Sequence, residues 1–203
     1  MADNSLGSDF SKLSYALGMS IAGSLIKSGI TKVDTTLFIQ GMDDTLNGLK
    51  PKLDTGEANR ILEKFFSEKS GNEAQKNLEK GKAFLTENRR KEEVTVLKSG
   101  LQYQVLHNGE GEKATLKDTV RCHYHGTLVD GYVFDSSVER GQPAEFPVNG
   151  VIPGWTEALQ LMPMGSKWRL FIPPELAYGE RGAGKTIGPN STLIFDVELL
   201  EIV

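Results

Sequence analysis

Of the chain's eight prolines, only Pro51 precedes residue 99, and the other seven run from Pro143 to Pro189. Proline removes a helix hydrogen bond and clashes with the preceding turn, so long helices exclude it from their interiors. The break therefore divides a stretch free to be helical from one built of strands and turns. The spacing of apolar residues agrees. From Asp9 to about Glu93 they recur every three or four positions, and from about Ser99 they alternate with polar ones. A chain of 203 residues has room for two domains of this kind.

In the first stretch, Ser8 or Asp9 can cap a helix whose stripe is Leu13, Leu17, Ile21 and Leu25. Gly18 and Ala22 lie near that stripe and leave room for another helix, and Gly29 ends it. Asp34 or Thr35 caps a second helix with Phe38, Met42, Leu46 and Leu49 near one face, closed by Gly48 and Pro51. Asp54-Thr-Gly-Glu57 has the spacing of a capping box and opens a third. Its start is apolar at Ala58, Ile61, Leu62 and Phe65, its middle from Ser67 to Asn77 is almost wholly polar, and Leu78, Phe84 and Leu85 follow. This reads as one long solvated helix over residues 55–93, roughly 55–60 Å in length, with a weak point at Ser70-Gly71. Two short amphipathic helices and the start of a third make a poor core alone, which points to a homodimer packing its stripes together. An intrachain bundle packed on the second domain is the alternative.

In the second stretch, Leu101, Tyr103 and Val105, then Val120, Cys122 and Tyr124, then Trp168, Leu170 and Ile172, and finally Leu193, Phe195, Val197 and Leu199 each alternate with polar residues. Each run is a half-buried strand. Between them Trp155, Leu159 and Met162 mark one short helix. The fold class is α+β: an all-α segment over 1–55, a long connecting helix over 56–97, and a curved antiparallel sheet wrapping one helix over 98–203.

Composition excludes several functions. Net charge is −4, without the basic face of a nucleic-acid binder. One cysteine, Cys122, forms neither an intrachain disulfide nor a cysteine-based zinc cluster. No apolar run approaches the ~20 residues of a membrane span. The polar, acidic start has no secretory pattern, so a cytoplasmic protein is expected, with a periplasmic one the alternative if a leader has been removed. P-loop, serine-hydrolase and zinc-protease motifs are absent. His123 and His125 share a strand face opposite Tyr124, but with no further ligand evident no metal site is assigned.

The segments Tyr124-His-Gly126, Asp130 to Ser137, Val151-Ile-Pro-Gly-Trp155, Met162-Pro-Met-Gly165, Ala177-Tyr-Gly179 and Thr192 to Leu200 occur in the order and spacing of the FKBP-type prolyl isomerases, which this chain resembles over nearly all of residues 99–203. The N-terminal helices are similar, more loosely, to the dimerisation segment of bacterial FKBPs related to the macrophage infectivity potentiator. The resemblance implies an apolar pocket. Trp155 would be its floor, and Tyr124, Phe134, Phe146, Val151, Ile152, Tyr178 and Phe195 its walls. Asp135 would sit at its rim, and Ile187 would cover it. The Ile152 N–H and the Tyr178 hydroxyl would hold substrate carbonyls, and Asp135 would orient a neighbour such as Tyr124.

The implied activity is peptidyl-prolyl cis–trans isomerisation on proline-containing polypeptide clients, with no cofactor and no covalent intermediate. Macrolide FKBP ligands and client binding by the helical domain follow from the same resemblance. An adaptor that binds prolyl segments with little turnover is the competing reading, and the intact pocket set argues for catalysis. Three positions depart from the family: Ala144 where many eukaryotic relatives have an aromatic residue, His125 for threonine, and Gly188 where proline is common.

Overall fold

The computed structural model describes residues 7–203. It contains four helices, α1 (Asp9–Lys27), α2 (Thr35–Leu46), α3 (Thr55–Asn88) and α4 (Pro153–Leu159). The seven strands are β1 (Val94–Val96), β2 (Gln102–His107), β3 (Thr119–Leu128), β4 (Val133–Ser136), β5 (Ala144–Pro147), β6 (Lys167–Ile172) and β7 (Leu193–Ile202). Two compact units result, Met1–Ile61 and Leu62–Val203.

In the first unit the helix boundaries follow local chemistry. The Ser8 hydroxyl accepts from the Ser11 N–H at 3.1 Å, and the Asp34 carboxylate accepts from the Leu37 N–H at 3.0 Å. Each satisfies an N–H that the first turn leaves without a partner. Gly29 and Gly48, at φ +69° and +63°, stop α1 and α2 in the left-handed conformation that glycine adopts without strain. Neither helix contains a buried residue.

The Asp54 carboxylate accepts from the Glu57 N–H at 2.8 Å and starts α3. The helix is continuous through Ser70-Gly71, without the weak point expected there, and ends at Asn88 rather than near Glu93. Its 34 residues span roughly 51 Å. The early stop has a tertiary cause. The Asn88 amide is buried and donates to the Gln102 side chain at 3.0 Å, while the Gln102 amide donates to the Leu85 carbonyl at 2.9 Å. The chain then turns back so that β1 can pair with β2.

Only the earlier part of α3 is solvated. Ala74, Asn77, Leu78, Gly81, Phe84, Leu85 and Asn88 are partly or fully buried at three- and four-residue spacing. That face lies on β2, β6 and the segment before β7: Phe84 meets Phe171 at 5.8 Å, and Gly81 lies against Thr192.

The sheet order is β1-β2-β6-β7-β3-β4, with β5 pairing β3, and every pairing is antiparallel. The inward residues of β3, β6 and β7 join Trp155, Ala158 and Leu159 of α4 in one core. Met162, just past the end of α4, is also buried. Val105, at the far end of β2, is exposed despite its phase, whereas its polar neighbour Gln102 is buried beneath α3.

Candidate active site

The part of the sheet around β3 contributes to one cavity of about 670 Å³. Tyr124 comes from β3, Phe134 and Asp135 from β4, Phe146 from β5, and Phe195 from β7. Val151 and Ile152 lead into α4, which supplies Trp155, while Tyr178 and Ile187 come from the segment between β6 and β7. The ten residues selected from the sequence thus line one cavity, together with Gly150, Ala183, Gly184 and Thr186, which the sequence reading did not select.

Five of these side chains form an aromatic cage by edge contacts. Trp155 meets Tyr124, Phe146 and Phe195 at centroid distances of 5.5, 5.6 and 5.2 Å, with interplanar angles of 83°, 77° and 84°. Phe134 meets Phe195 at 5.3 Å and 82°. Edge-to-face contact at these distances suits the ring quadrupoles and fixes the rings without closing the space above the indole. Gly126 on β3 makes the arrangement possible, because a Cβ there would stand 2.7 Å from the Phe134 ring and 2.8 Å from the Phe195 ring. The backbone hydrogen bonds of β3 bring the walls together: Gly126 pairs with Asp135 on one side and Phe195 on the other.

The rim is polar. The Tyr124 hydroxyl donates to Asp135 Oδ2 at 2.5 Å and accepts from Arg140 Nη2 at 2.8 Å. Arg140 Nη1 also pairs with Asp135 Oδ1, and its guanidinium carbon sits 5.5 Å from the Tyr124 ring centroid. Burial pushes the Asp135 carboxyl upward, but the hydrogen bond from Tyr124 and the Arg140 guanidinium outweigh it and hold the group below the usual carboxylate range. Burial and then the hydrogen bond to Asp135 push the Tyr124 phenol above its usual value. Ser137, fully buried, fixes the backbone beneath this set, its hydroxyl accepting from the Tyr124 N–H at 2.7 Å.

Arg140 and Ser137 were not selected from the sequence. Arg140 lies in a turn, belongs to no periodic pattern and is drawn to the site only by the path of the chain after β4. The dipeptide Ser136-Ser137 reads equally well as an ordinary turn. His123 and His125 face away from the cavity, bonded through Nδ1 to Ser137 Oγ at 3.1 Å and Ser136 Oγ at 3.0 Å. Among the described residues no group of three or more His, Cys, Asp or Glu is placed to hold a metal ion. Cys122 is buried in the core, where desolvation pushes its thiol up to about 12.

The cavity is thus an apolar aromatic cage with a hydrogen-bonded tyrosine at its lip. Comparison with known proteins bears on the family. The pattern of the FKBP-type peptidyl-prolyl cis-trans isomerase family matches residues 110–200, and that of the domain amino-terminal to it matches residues 11–105. The chain is 49% identical over 193 residues to the FKBP-type 22 kDa peptidyl-prolyl cis-trans isomerase of Escherichia coli K12, covering 94% of each. It is 43% identical to the outer membrane protein MIP of Legionella longbeachae, over 98% of this chain and 88% of the relative. The crystal structure of FkpA from Escherichia coli superposes with a TM-score of 0.75 at 40% identity, covering 98% of both chains. The chain belongs to the FKBP-type peptidyl-prolyl cis–trans isomerases and is an enzyme of that class.

Proposed function

We propose that the aromatic cage is where the enzyme twists the X–Pro bond of a polypeptide client. An X–Pro bond is a tertiary amide whose isomers differ by about 0.5–1 kcal/mol yet exchange over tens to hundreds of seconds. The barrier of about 18–20 kcal/mol comes from resonance lost on twisting. A twisted amide separates less charge than a planar one and needs less hydration, so an apolar enclosure favours it over the ground state. Trp155 is the platform for the proline ring. Tyr124, Phe134, Phe146 and Phe195 enclose it, and Val151 and Ile187 complete the wall. The Ile152 N–H and the Tyr178 hydroxyl hold substrate carbonyls. Asp135 positions the Tyr124 hydroxyl. The observation that carries this reading is the five-ring cage with the Tyr124–Asp135–Arg140 set at its lip.

The test is a cis-to-trans assay on a short X–Pro peptide. Asp135→Val removes a charge-assisted pair and frees the Tyr124 hydroxyl, with an expected loss of tenfold or more in kcat/KM, about the worth of one such bond. Phe195→Tyr forces a hydroxyl into the cage, with a similar expected loss. A macrolide FKBP ligand should compete with the peptide. Wild-type rates in both folded variants would remove the cage from the mechanism, and peptide binding without turnover in the native protein would favour an adaptor.

We further infer that the helical unit makes a homodimer and holds clients. On α1, Phe10, Leu13 and Leu17 are exposed on one side and Tyr15, Met19 and Ile26 on the opposite side. A helix apolar on two faces needs cover on both, and a second copy of the same unit supplies it. Client capture by the paired units would raise the local concentration of prolyl segments at the pocket. The expectation of a cytoplasmic protein gains no support from the relatives, one of which is named for the outer membrane. Among the described residues no helix is long and apolar enough to cross a membrane.

A further inference from the structure

The segment from Gly179 to Asn190 carries Ala183, Gly184, Thr186 and Ile187 of the cavity wall. Its tip is closed by a bridge in which the Ala183 N–H donates to the Ile187 carbonyl at 2.8 Å and the Ile187 N–H donates back at 3.1 Å. Its base is tied by the Asn190 N–H, which donates to the Gly179 carbonyl at 2.8 Å. The limb that returns from the pocket runs along α3. There the Asn77 amide donates to the Pro189 carbonyl at 2.9 Å and lies 3.5 Å from the Ser191 hydroxyl, which in turn donates to the Gly188 carbonyl at 2.8 Å.

The approach is close at two glycines. A Cβ at Gly188 would stand 2.6 Å from the Glu73 carboxylate and 3.0 Å from the Asn77 amide nitrogen, and one at Gly81 would stand 2.2 Å from the Thr192 hydroxyl. Gly188 lies directly against the Glu73 and Asn77 side chains of α3. It follows Ile187 directly, so the brace is one peptide bond from a residue of the pocket wall.

We propose that Asn77 is a positioning residue for the isomerase site, holding the 179–190 loop against α3 so that Ile187 and its neighbours stay in place as the wall for the substrate. The proposal rests on the cage being the prolyl site. A loosened loop reduces the fraction of molecules with a complete wall, and apparent affinity falls by that fraction. The Tyr124–Asp135–Arg140 set lies outside the loop and is untouched. Losing the brace should therefore raise KM while leaving kcat nearly unchanged, a split that a general loss of stability does not produce.

The experiment compares full-length Asn77→Ala and Asn77→Asp with Gln75→Ala, whose amide bonds to Glu79 along the exposed side of the same helix. KM and kcat are measured on a short X–Pro peptide, and amide hydrogen exchange is followed at Ala183 and Ile187. Asn77→Ala is expected to raise KM roughly three- to tenfold, the worth of one hydrogen bond. kcat should stay within about twofold, and the two bridge amides should exchange faster. Asn77→Asp removes the N–H donor and sets a carboxylate against the Pro189 carbonyl, so it should move both readouts the same way, and it decides the matter if Asn77→Ala does not fold. KM and exchange matching Gln75→Ala in the folded variants overturn the proposal, whatever happens to melting temperature. Full activity in Asp135→Val would instead overturn the assignment of the cage and, with it, the role given to Asn77 at the isomerase site.

Discussion

Asp135 is held by neighbours of two kinds, a neutral hydroxyl and a guanidinium, and the pair sets how the site responds to pH. The folded carboxyl lies below its ordinary value and the Tyr124 phenol above its own. A carboxyl with a depressed folded pKa contributes stability above its unfolded value of about 3.9 and loses that contribution as pH falls through the lower folded value. A phenol raised above about 10 stays neutral and able to donate throughout the physiological range. The expected outcome is a kcat/KM for X–Pro peptides that is flat from about pH 5 to pH 9 and falls only in stronger acid. A stopped assay across that range checks it, and a break near pH 7 would mean that another titrating group controls the site. His123 and His125 point away from the cavity and bond to serines of the β4 region.

At the scale of the element, α3 is where periodicity misled. Its middle and end look polar because three of the residues that pack are Asn77, Gly81 and Asn88, none of which scores as apolar. They pack because each has a specific partner on the sheet domain: a loop carbonyl, a threonine side chain and a buried glutamine. Most of α3 accordingly belongs to the compact unit Leu62–Val203. A fragment of residues 62–203 is expected to fold and to isomerise short peptides. A fragment of 98–203 uncovers Phe171 and Gln102 and loses the Phe84 contact, and should be less stable by about 3–5 kcal/mol, the range for removing a large buried side chain. Urea denaturation of both fragments measures the difference, and equal midpoints would show that α3 contributes nothing to the sheet domain.

For the whole molecule, the two opposed apolar faces of α1 carry the prediction. Met19→Glu places a charge on the face opposite Leu17 and should halve the mass seen by sedimentation equilibrium. Turnover of short peptides per chain should stay near wild type, because the cavity is built entirely within the second unit. Acceleration of a proline-limited refolding reaction should drop several-fold as paired client contacts are lost. A monomeric variant with undiminished refolding activity would separate client handling from dimerisation. A wild-type chain that sediments as a monomer would remove the dimer itself.

The ten residues that line the cavity were chosen by their place in the motifs of the family the chain resembles, whereas the sequence by itself determined the caps that start α1, α2 and α3 and the strand phases. These rest on short-range rules. A glycine or proline acts on its own turn, a capping carboxylate reaches three residues, and alternation assigns a strand face residue by residue. Tertiary structure decided the rest. Arg140 joins Tyr124 and Asp135 only because the turn after β4 folds back over the rim. Gly126 matters because two rings approach it from different strands. The end of α3 at Asn88, and its seat against the loop that lines the pocket, depend on partners 14 and 112 residues away in the chain. No local pattern encodes such contacts, because what selects them is the space and the hydrogen-bonding groups that a distant segment presents once the sheet has formed.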